Sequence, residues 1–470
     1  MRVGGSLAFL SSLSLLACAK IDGGAARSDS GATGGELLDA SGRDLRGGAD
    51  VGGSIDAPPV QPAGDCQNLC RQQVTCPGGG GTTISGVVHA PTPPKFGAAD
   101  PLYNALVYVP NAAVAPFTAG VACQRCEAAS GSPLVKTLTG PDGKFILTNA
   151  PAGTNIPLVI QIGRWRRQVV IPNVAACANT ALPDDVTHLP RNKSEGDIPA
   201  IAIATGTFDP FDCTLRKIGI DEAEFTLPGG GGRVNVWAYG GHNLDTGAAP
   251  GGDQLMGSLP TLSRYDLLLL PCDDEGRKDK ALEDNLLTYA GRGGRVFLTD
   301  WSYSWLRSDP TWDATATWAT PTVILGDDFT TLIDGTFPKG AAFSSWLSIV
   351  GAAPMATRLS IHDPYGGRSH VASVVPPTQQ WLYTSDAPPT VQHLTFNVPV
   401  GMPEAQQCGR VVFSQFHVAD EAGGTAIIPN PDTFPRNCSD TTMTPQEKAL
   451  EFMLFDLSSC VQSDTRPPIP

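Results

Sequence analysis

The sequence predicts a multidomain protein: an all-β sandwich over about 82–204, then an α/β domain over about 205–462 with a doubly wound, mostly parallel sheet and a β-rich insertion near 309–407. Three observations carry this expectation. At 470 residues the chain exceeds what one hydrophobic core usually serves. Short β-branched runs punctuated by glycine and proline fill the first part of the folded region, and near-continuous apolar runs flanking a helical repeat fill the second. The 52 glycines and 41 prolines, with only 17% charged residues, indicate many turns around modest cores and weigh against a helix-rich architecture.

In the sandwich, Thr82 to Val88 and Ala105 to Pro110 read as strands. Asp142-Gly143 supplies a turn with a residue tolerant of positive φ, after which Phe145 and Leu147 alternate inward. Leu158 to Gly163 and Gln168 to Ile171 give two further strands around a Gly163-Arg164 turn. In the α/β domain, Arg233 to Tyr239, Tyr265 to Leu270 and Arg295 to Thr299 read as strands. Between the last two, Ala281, Leu282, Leu286, Tyr289 and Ala290 recur at helical spacing, and Gly291 ends that helix. Apolar strands around a crossover helix suit a parallel sheet covered on both faces. Arg410 to Phe416 forms another buried strand. The last helix is well specified: Thr444 is an N-cap, Pro445 suits the first helical position, and Glu447 completes a capping box before Phe452, Met453 and Phe455 cover the sheet. The stretch 309–407 reads as short strands and loops.

The first eighteen residues set the address. Met1-Arg2, an apolar run from Leu7 to Leu16, and Leu15-Leu16-Ala17-Cys18 read as a lipoprotein signal peptide, with Cys18 as the lipidation site. Ala19 and Lys20, rather than an aspartate, come next after Cys18, which favours the outer membrane; the membrane is then a partner through the lipid alone. Residues 19–65, rich in Gly, Ala, Ser and Asp and without an aromatic ring, read as a disordered tether, 66–81 as a Cys- and Gly-rich lead-in, and 463–470 as a disordered tail. A net charge of −14 excludes nucleic acid and electrostatic docking on anionic lipid. Twelve cysteines in an exported chain imply disulfide bonds. Lipidation of Cys18 leaves an odd number, hence a thiol, an intermolecular bond or another role for Cys18, and spacing does not assign the pairs. Cys123 and Cys126 also fit half a zinc site or a redox pair, but no matching pair with histidine follows, so disulfides are expected and neither metal nor cofactor is.

Two resemblances add to this reading. The segments ISGVV, ALVYVPN and TGPDGKFILTNAPAGT resemble the carboxypeptidase regulatory-like domain, a small transthyretin-like sandwich, over about 82–204, although Gly140 and Pro141 stand where that family often has an acidic turn residue. The resemblance implies a spacer or binding module without catalytic residues. The segments YDLLLLPCDDEG, GGRVFLTDWSYSW and RVVFSQFHVADE resemble the class I glutamine amidotransferase-like fold, including its trehalose-utilisation-type branch, over about 213–460. That implies a flavodoxin-like sheet with a cysteine nucleophile on a sharp turn after the strand matching Val296 to Thr299. Here Asp300-Trp301-Ser302 stands in its place. The family's histidine matches His417, and the acid two residues later is replaced by Ala419, so the catalytic set is degenerate. The order of tether, sandwich and α/β domain resembles a group of myxobacterial-type surface lipoproteins.

In an open α/β sheet, ligands bind beyond the carboxyl ends of the strands. Those ends carry His242 and Asn243; Cys272, Asp273 and Asp274; Asp300, Ser302 and Tyr303; and His417, Asp420 and Glu421. With Trp301 and Trp305 nearby, the set suits a cation or a sugar. Arg164, Trp165, Arg166 and Arg167 read either as an anion or sugar patch or as a solvated edge strand guarded by charge. The expected function is therefore a non-catalytic envelope lipoprotein with a binding or structural role at the cell surface, its ligand a carbohydrate or a cation and its partner an envelope polysaccharide or protein. The alternative is a thiol- or metal-dependent hydrolase or amidotransferase-like enzyme in which Cys272 is the nucleophile, His417 the base, and Asp420 or Glu421 orients it. Against that alternative, Cys272 follows the wrong strand and is expected in a disulfide with a cysteine such as Cys213.

Overall fold

Strand after strand in the second half of the chain is buried on both faces, and this decides the architecture. The computed structural model describes residues 66–126, 129–205, 209–238, 249–272, 279–418 and 441–470; the signal, Cys18 and the tether lie outside these. The first strands are β1 (Thr83–Val87), β2 (Leu106–Pro110), β3 (Pro133–Leu138), β4 (Lys144–Leu147), β5 (Gly153–Ile162), β6 (Trp165–Val174), β7 (Asn179–Ala181) and β8 (Gly196–Asp197). They form a three-stranded sheet, β4-β1-β7, and a five-stranded sheet, β3-β2-β5-β6-β8. The Asp142-Gly143 turn is present with Gly143 at φ 69°, and the β4 side chains alternate, Phe145 and Leu147 buried against Lys144 and Ile146 exposed.

Next come β9 (Ile201–Ala204), α1 (Phe211–Ile218), β10 (Phe225–Thr226), β11 (Val234–Trp237), α2 (Gly252–Met256), α3 (Leu259–Leu262), β12 (Leu267–Leu270), α4 (Lys280–Gly291), β13 (Arg295–Thr299), α5 (Tyr303–Ser308) and α6 (Pro310–Asp313). The chain then runs through β14 (Ala316–Ile333), α7 (Pro338–Ile349), β15 (Arg358–Val374), β16 (Gln379–Thr384), β17 (Thr390–Val398), β18 (Gly409–Ser414) and α8 (Pro445–Ser458). Ten strands make one sheet in the order β10-β11-β9-β12-β13-β18-β17-β16-β14-β15. The run from β10 to β18 is parallel and the remainder antiparallel. The central parallel strands β9, β12, β13 and β18 are buried at every position, as a sheet covered on both sides requires.

Several expectations need correction. The segment Ile201–Ala204, assigned above to the sandwich, is β9, a central strand of the large sheet between β11 and β12. The stretch 309–407 is not an insertion of short strands: it supplies four antiparallel strands, two of them long, that extend the same sheet from β18. Helix α4 does end at Gly291, as expected, while the left-handed residue follows two positions on, Gly293 at φ 117°, where an added Cβ would lie 2.3 Å from the Ala122 carbonyl oxygen. The tail is not wholly disordered: Asp464 is buried, its carboxylate accepting from the Arg410 guanidinium at 2.8 Å and lying 3.1 Å from Lys339 Nζ.

Residues 67–470 pack as one compact unit around a shared core, and α8 is the reason. Its start is capped as the sequence requires, Thr444 accepting from the Glu447 amide and Glu447 from the Thr444 amide. Nearly every residue from Gln446 to Ser458 is buried. One face meets the β1–β8 part of the chain, with Phe452 stacked on Tyr103, Phe455 edge-on to Trp165, and Lys448 paired with Asp100 at 2.7 Å. The other meets the large sheet, where Asp456 takes Arg410 at 2.7 Å and Lys339 at 2.8 Å, while Glu447 takes the buried Lys217. Covalent staples reinforce the joint. Cys123 pairs with Cys408 and Cys126 with Cys460, so the expected disulfides form and the Cys-x-x-Cys redox or zinc reading is overturned. Cys76 pairs with Cys177, and Cys66, Cys70 and Cys213 are disulfide-bonded as well. Cys272 remains a thiol, contrary to its expected disulfide. Among the described residues no helix is long and apolar enough to cross a membrane.

His393, on β17, is buried beside Ser414 Oγ at 3.2 Å. Burial, then Arg410, pushes its pKa from 6.5 down to about 3. The unfolded chain takes up this proton near pH 6.5 and the folded chain does not, so the stability from a neutral His393 is whole above pH 6.5 and drains away as the pH falls toward 3, at up to about 1.4 kcal/mol per pH unit. Denaturant titrations between pH 7 and 4 are expected to show a shallower loss for His393→Gln than for the parent chain.

Candidate functional site

The chemistry gathers where the parallel strands end. Asp209, in the loop after β9, is buried, and its carboxylate ties three neighbouring strand ends together. Oδ2 accepts from the Cys272 amide beyond β12 at 3.0 Å and from the Thr299 hydroxyl at the end of β13, and Oδ1 accepts from the Val418 amide beyond β18 at 2.8 Å. Burial raises the Asp209 pKa against the opposing pull of His417 and these donors. The knot brings together Cys272, Asp300 and His417, which come from three different strand ends.

Asp300 stands on the sharp turn between β13 and the following helical turn, with φ 36°. A non-glycine residue there is strained, and aspartate tolerates such backbone better than most. Its carboxylate is buried and fully engaged. Oδ1 accepts from Gln415 Nε2 at 2.8 Å; Oδ2 lies 3.3 Å from His417 Nε2 and 3.5 Å from Cys272 Sγ. On its other side the His417 imidazole meets Asp363, Nδ1 lying 3.0 Å from Oδ2 and 3.1 Å from Oδ1. Burial disfavours the imidazolium, but Asp363 and then Asp300 outweigh it and hold the His417 pKa well above the ordinary histidine value. Gln446 at the start of α8 donates to the carbonyls of His417 and His362, fixing the segment that carries the ring.

His370, on β15, closes the remaining side. Its ring stacks on Tyr303 at 4.1 Å, Nδ1 lies 3.3 Å from Thr322 Oγ1, and Nε2 lies 3.9 Å from Asp300 Oδ1. Burial pushes its pKa down to about 4 against the pull of Asp300.

Of the residues expected at this site, the structure joins Asp300, His417 and Cys272 and places Tyr303 beside them. Ser302 is buried and spends its hydroxyl on the Pro271 carbonyl at 2.6 Å. Trp301 and Trp305 are buried too, which removes them as an exposed sugar platform. His242, Asn243, Asp273, Asp274, Asp420 and Glu421 lie outside the described residues. Among the described residues, the acid beside His417 is Asp363, from the stretch read above as short strands and loops. Asp209, Asp363, His370 and Gln415 were missed: each is a single polar residue whose partners are distant in sequence. The Arg164 to Arg167 segment is no solvated edge. Arg164 is buried against Asp266 at 3.1 Å, Arg166 against Asp197 at 2.8 Å and over the Phe117 ring at 4.0 Å, and Trp165 packs on α8. Arg164 and Arg166 border a cavity of about 590 Å³, but their charges are already answered by carboxylates.

No family model and no curated protein matches the chain. Among solved structures it is similar to the N-terminal domain of mmIFT52, at 11% identity and TM-score 0.25 over 40% of this chain and 74% of that one. It is also similar to a ThuA-like protein from Bacteroides uniformis, at 10% identity and TM-score 0.25 over 47% and 82%. A cohesin–X-dockerin complex from Acetivibrio cellulolyticus matches at 16% identity and TM-score 0.15 over 27% and 77%.

Asp209→Ala strands two amides and a hydroxyl in the interior, and an unsatisfied buried donor costs about 1–3 kcal/mol. Chemical denaturation is expected to show a loss of about 3 kcal/mol or more, with a smaller loss for Asp209→Asn, which keeps one acceptor oxygen.

Proposed function

We propose that the chain is an exported envelope protein, anchored to the outer membrane by lipid on Cys18, whose strand-end site holds a ligand and performs no covalent catalysis. In this reading the β-rich part is a transthyretin-like spacer or binding module of the carboxypeptidase regulatory type. The α/β part is a degenerate relative of the class I glutamine amidotransferase-like fold, with a doubly wound, flavodoxin-like parallel core. The disulfides support export.

One observation carries the non-catalytic reading: the sharp turn after β13 presents the Asp300 carboxylate, and the His417 imidazole is directed at that carboxylate. A thiol nucleophile needs an exposed sulfur with a base poised to take its proton. Cys272 is 4% exposed, arrives from a different strand, and has its sulfur 3.5 Å from a carboxylate oxygen of Asp300. The competing thiol-hydrolase reading draws on the proximity of Cys272 and His417, whose ligand atoms lie within 4.8 Å of one another.

Alkylation separates the two. In the native, unreduced chain, mass spectrometry after iodoacetamide treatment is expected to find Cys272 modified at least about 100-fold more slowly than in the denatured chain, as suits a thiol out of reach of the reagent. Rapid stoichiometric modification of Cys272 in the folded protein, lost in His417→Gln, would instead establish an activated nucleophile.

A further inference from the structure

We propose that Cys272, Asp300 and His417 bind one zinc-class divalent transition metal ion, with Asp363 orienting His417 from behind and His370 standing beside the carboxylate ligand. This inference rests on the ligand-holding reading of the same site and names its ligand. The donor set is one such ions select: a thiolate, an imidazole and a carboxylate.

The spacing agrees with the chemistry. Tetrahedral zinc with bonds of about 2.3 Å to sulfur and about 2.0 Å to oxygen and nitrogen separates its sulfur and oxygen ligands by about 3.5 Å, and its nitrogen and oxygen ligands by about 3.3 Å. Cys272 Sγ lies 3.5 Å from Asp300 Oδ2, and His417 Nε2 lies 3.3 Å from the same oxygen. The three ligand atoms lie within 4.8 Å of one another.

The surroundings are those of a built metal centre. A ligating histidine characteristically gives its second nitrogen to a carboxylate, and His417 Nδ1 faces both oxygens of Asp363. Gln415 holds the far oxygen of Asp300, and the same Gln415 accepts the His370 amide at 2.9 Å. An independent observation comes from His370: its ring is 4% exposed, its Nε2 has no hydrogen-bond partner, and that nitrogen lies 3.9 Å from Asp300 Oδ1. A buried imidazole nitrogen left so is costly, and a polar ligand held at the site, such as a water on the ion, would satisfy it.

The test is titration of the full chain, disulfides intact, with zinc and with cobalt(II) as a spectroscopic probe. One ion per chain is expected, and the cobalt form should show a thiolate-to-metal charge-transfer band in the near ultraviolet. Cys272→Ser should abolish that band. Asp363→Asn should weaken zinc binding about 10- to 100-fold, and His417→Gln by at least as much, with circular dichroism unchanged. The band in the parent chain decides the matter even if a variant fails to fold. Absence of the band, its survival in Cys272→Ser, or undiminished affinity in His417→Gln would overturn the metal. Absence of the band with Cys272 slow to alkylate defeats the metal alone and leaves the ligand-holding reading standing; rapid alkylation of an activated Cys272 defeats both.

Discussion

The structure turns on one buried carboxylate. Asp209 receives two backbone amides and a hydroxyl from the ends of β12, β13 and β18, the strand ends that deliver Cys272, Asp300 and His417. Strand ends are where loops begin, and loops diverge unless something holds them. A carboxylate with four acceptor positions is suited to gather several donors at one point. Its burial is unfavourable by itself, and the convergent donors offset that cost.

The second constraint is α8. A helix buried on nearly all sides is expected in the interior of a larger assembly, not on its surface. Here it lies between the β1–β8 part of the chain and the large sheet, and three of its four charged residues, all but the buried Glu451, are answered: Glu447 by Lys217, Lys448 by Asp100, Asp456 by Lys339 and Arg410. Such buried pairs are weak contributors to net stability but strongly penalise any arrangement that separates them. They fix which face of α8 meets which sheet. The same helix holds the site in register, because Gln446 binds the carbonyls of His362 and His417.

How much of this was legible in the sequence depends on whether the signal was local. The capping box of α8, the strand Arg295–Thr299 and the Asp-Gly turn before Phe145 are local, and the structure has them where the residues put them. Strand β17 was not legible. It reads TVQHLTFNV, and although all but Asn397 is buried, Gln392, His393 and Thr395 interrupt the apolar pattern that would announce a two-faced strand. Those polar groups are tolerated because distant residues satisfy them, as when Asp464 accepts from Thr395. The site follows the same rule. Asp300 and His417 were found because strand ends are predictable; Asp209, Asp363, Gln415 and His370 were not, because each owes its role to partners brought close only by the fold. The arginine segment at Arg164 misled for a related reason: its counter-charges, Asp266 and Asp197, come from other strands or their flanks.

The central claim is that Asp209 locks the three strand ends together. Native-state hydrogen exchange reads this most directly at the Cys272 and Val418 amides, both of which donate to Asp209. The account predicts protection approaching that of the β13 core amides, lost at both positions together in Asp209→Ala. Exchange at the rate of ordinary loop amides, or protection unchanged by that substitution, would contradict it.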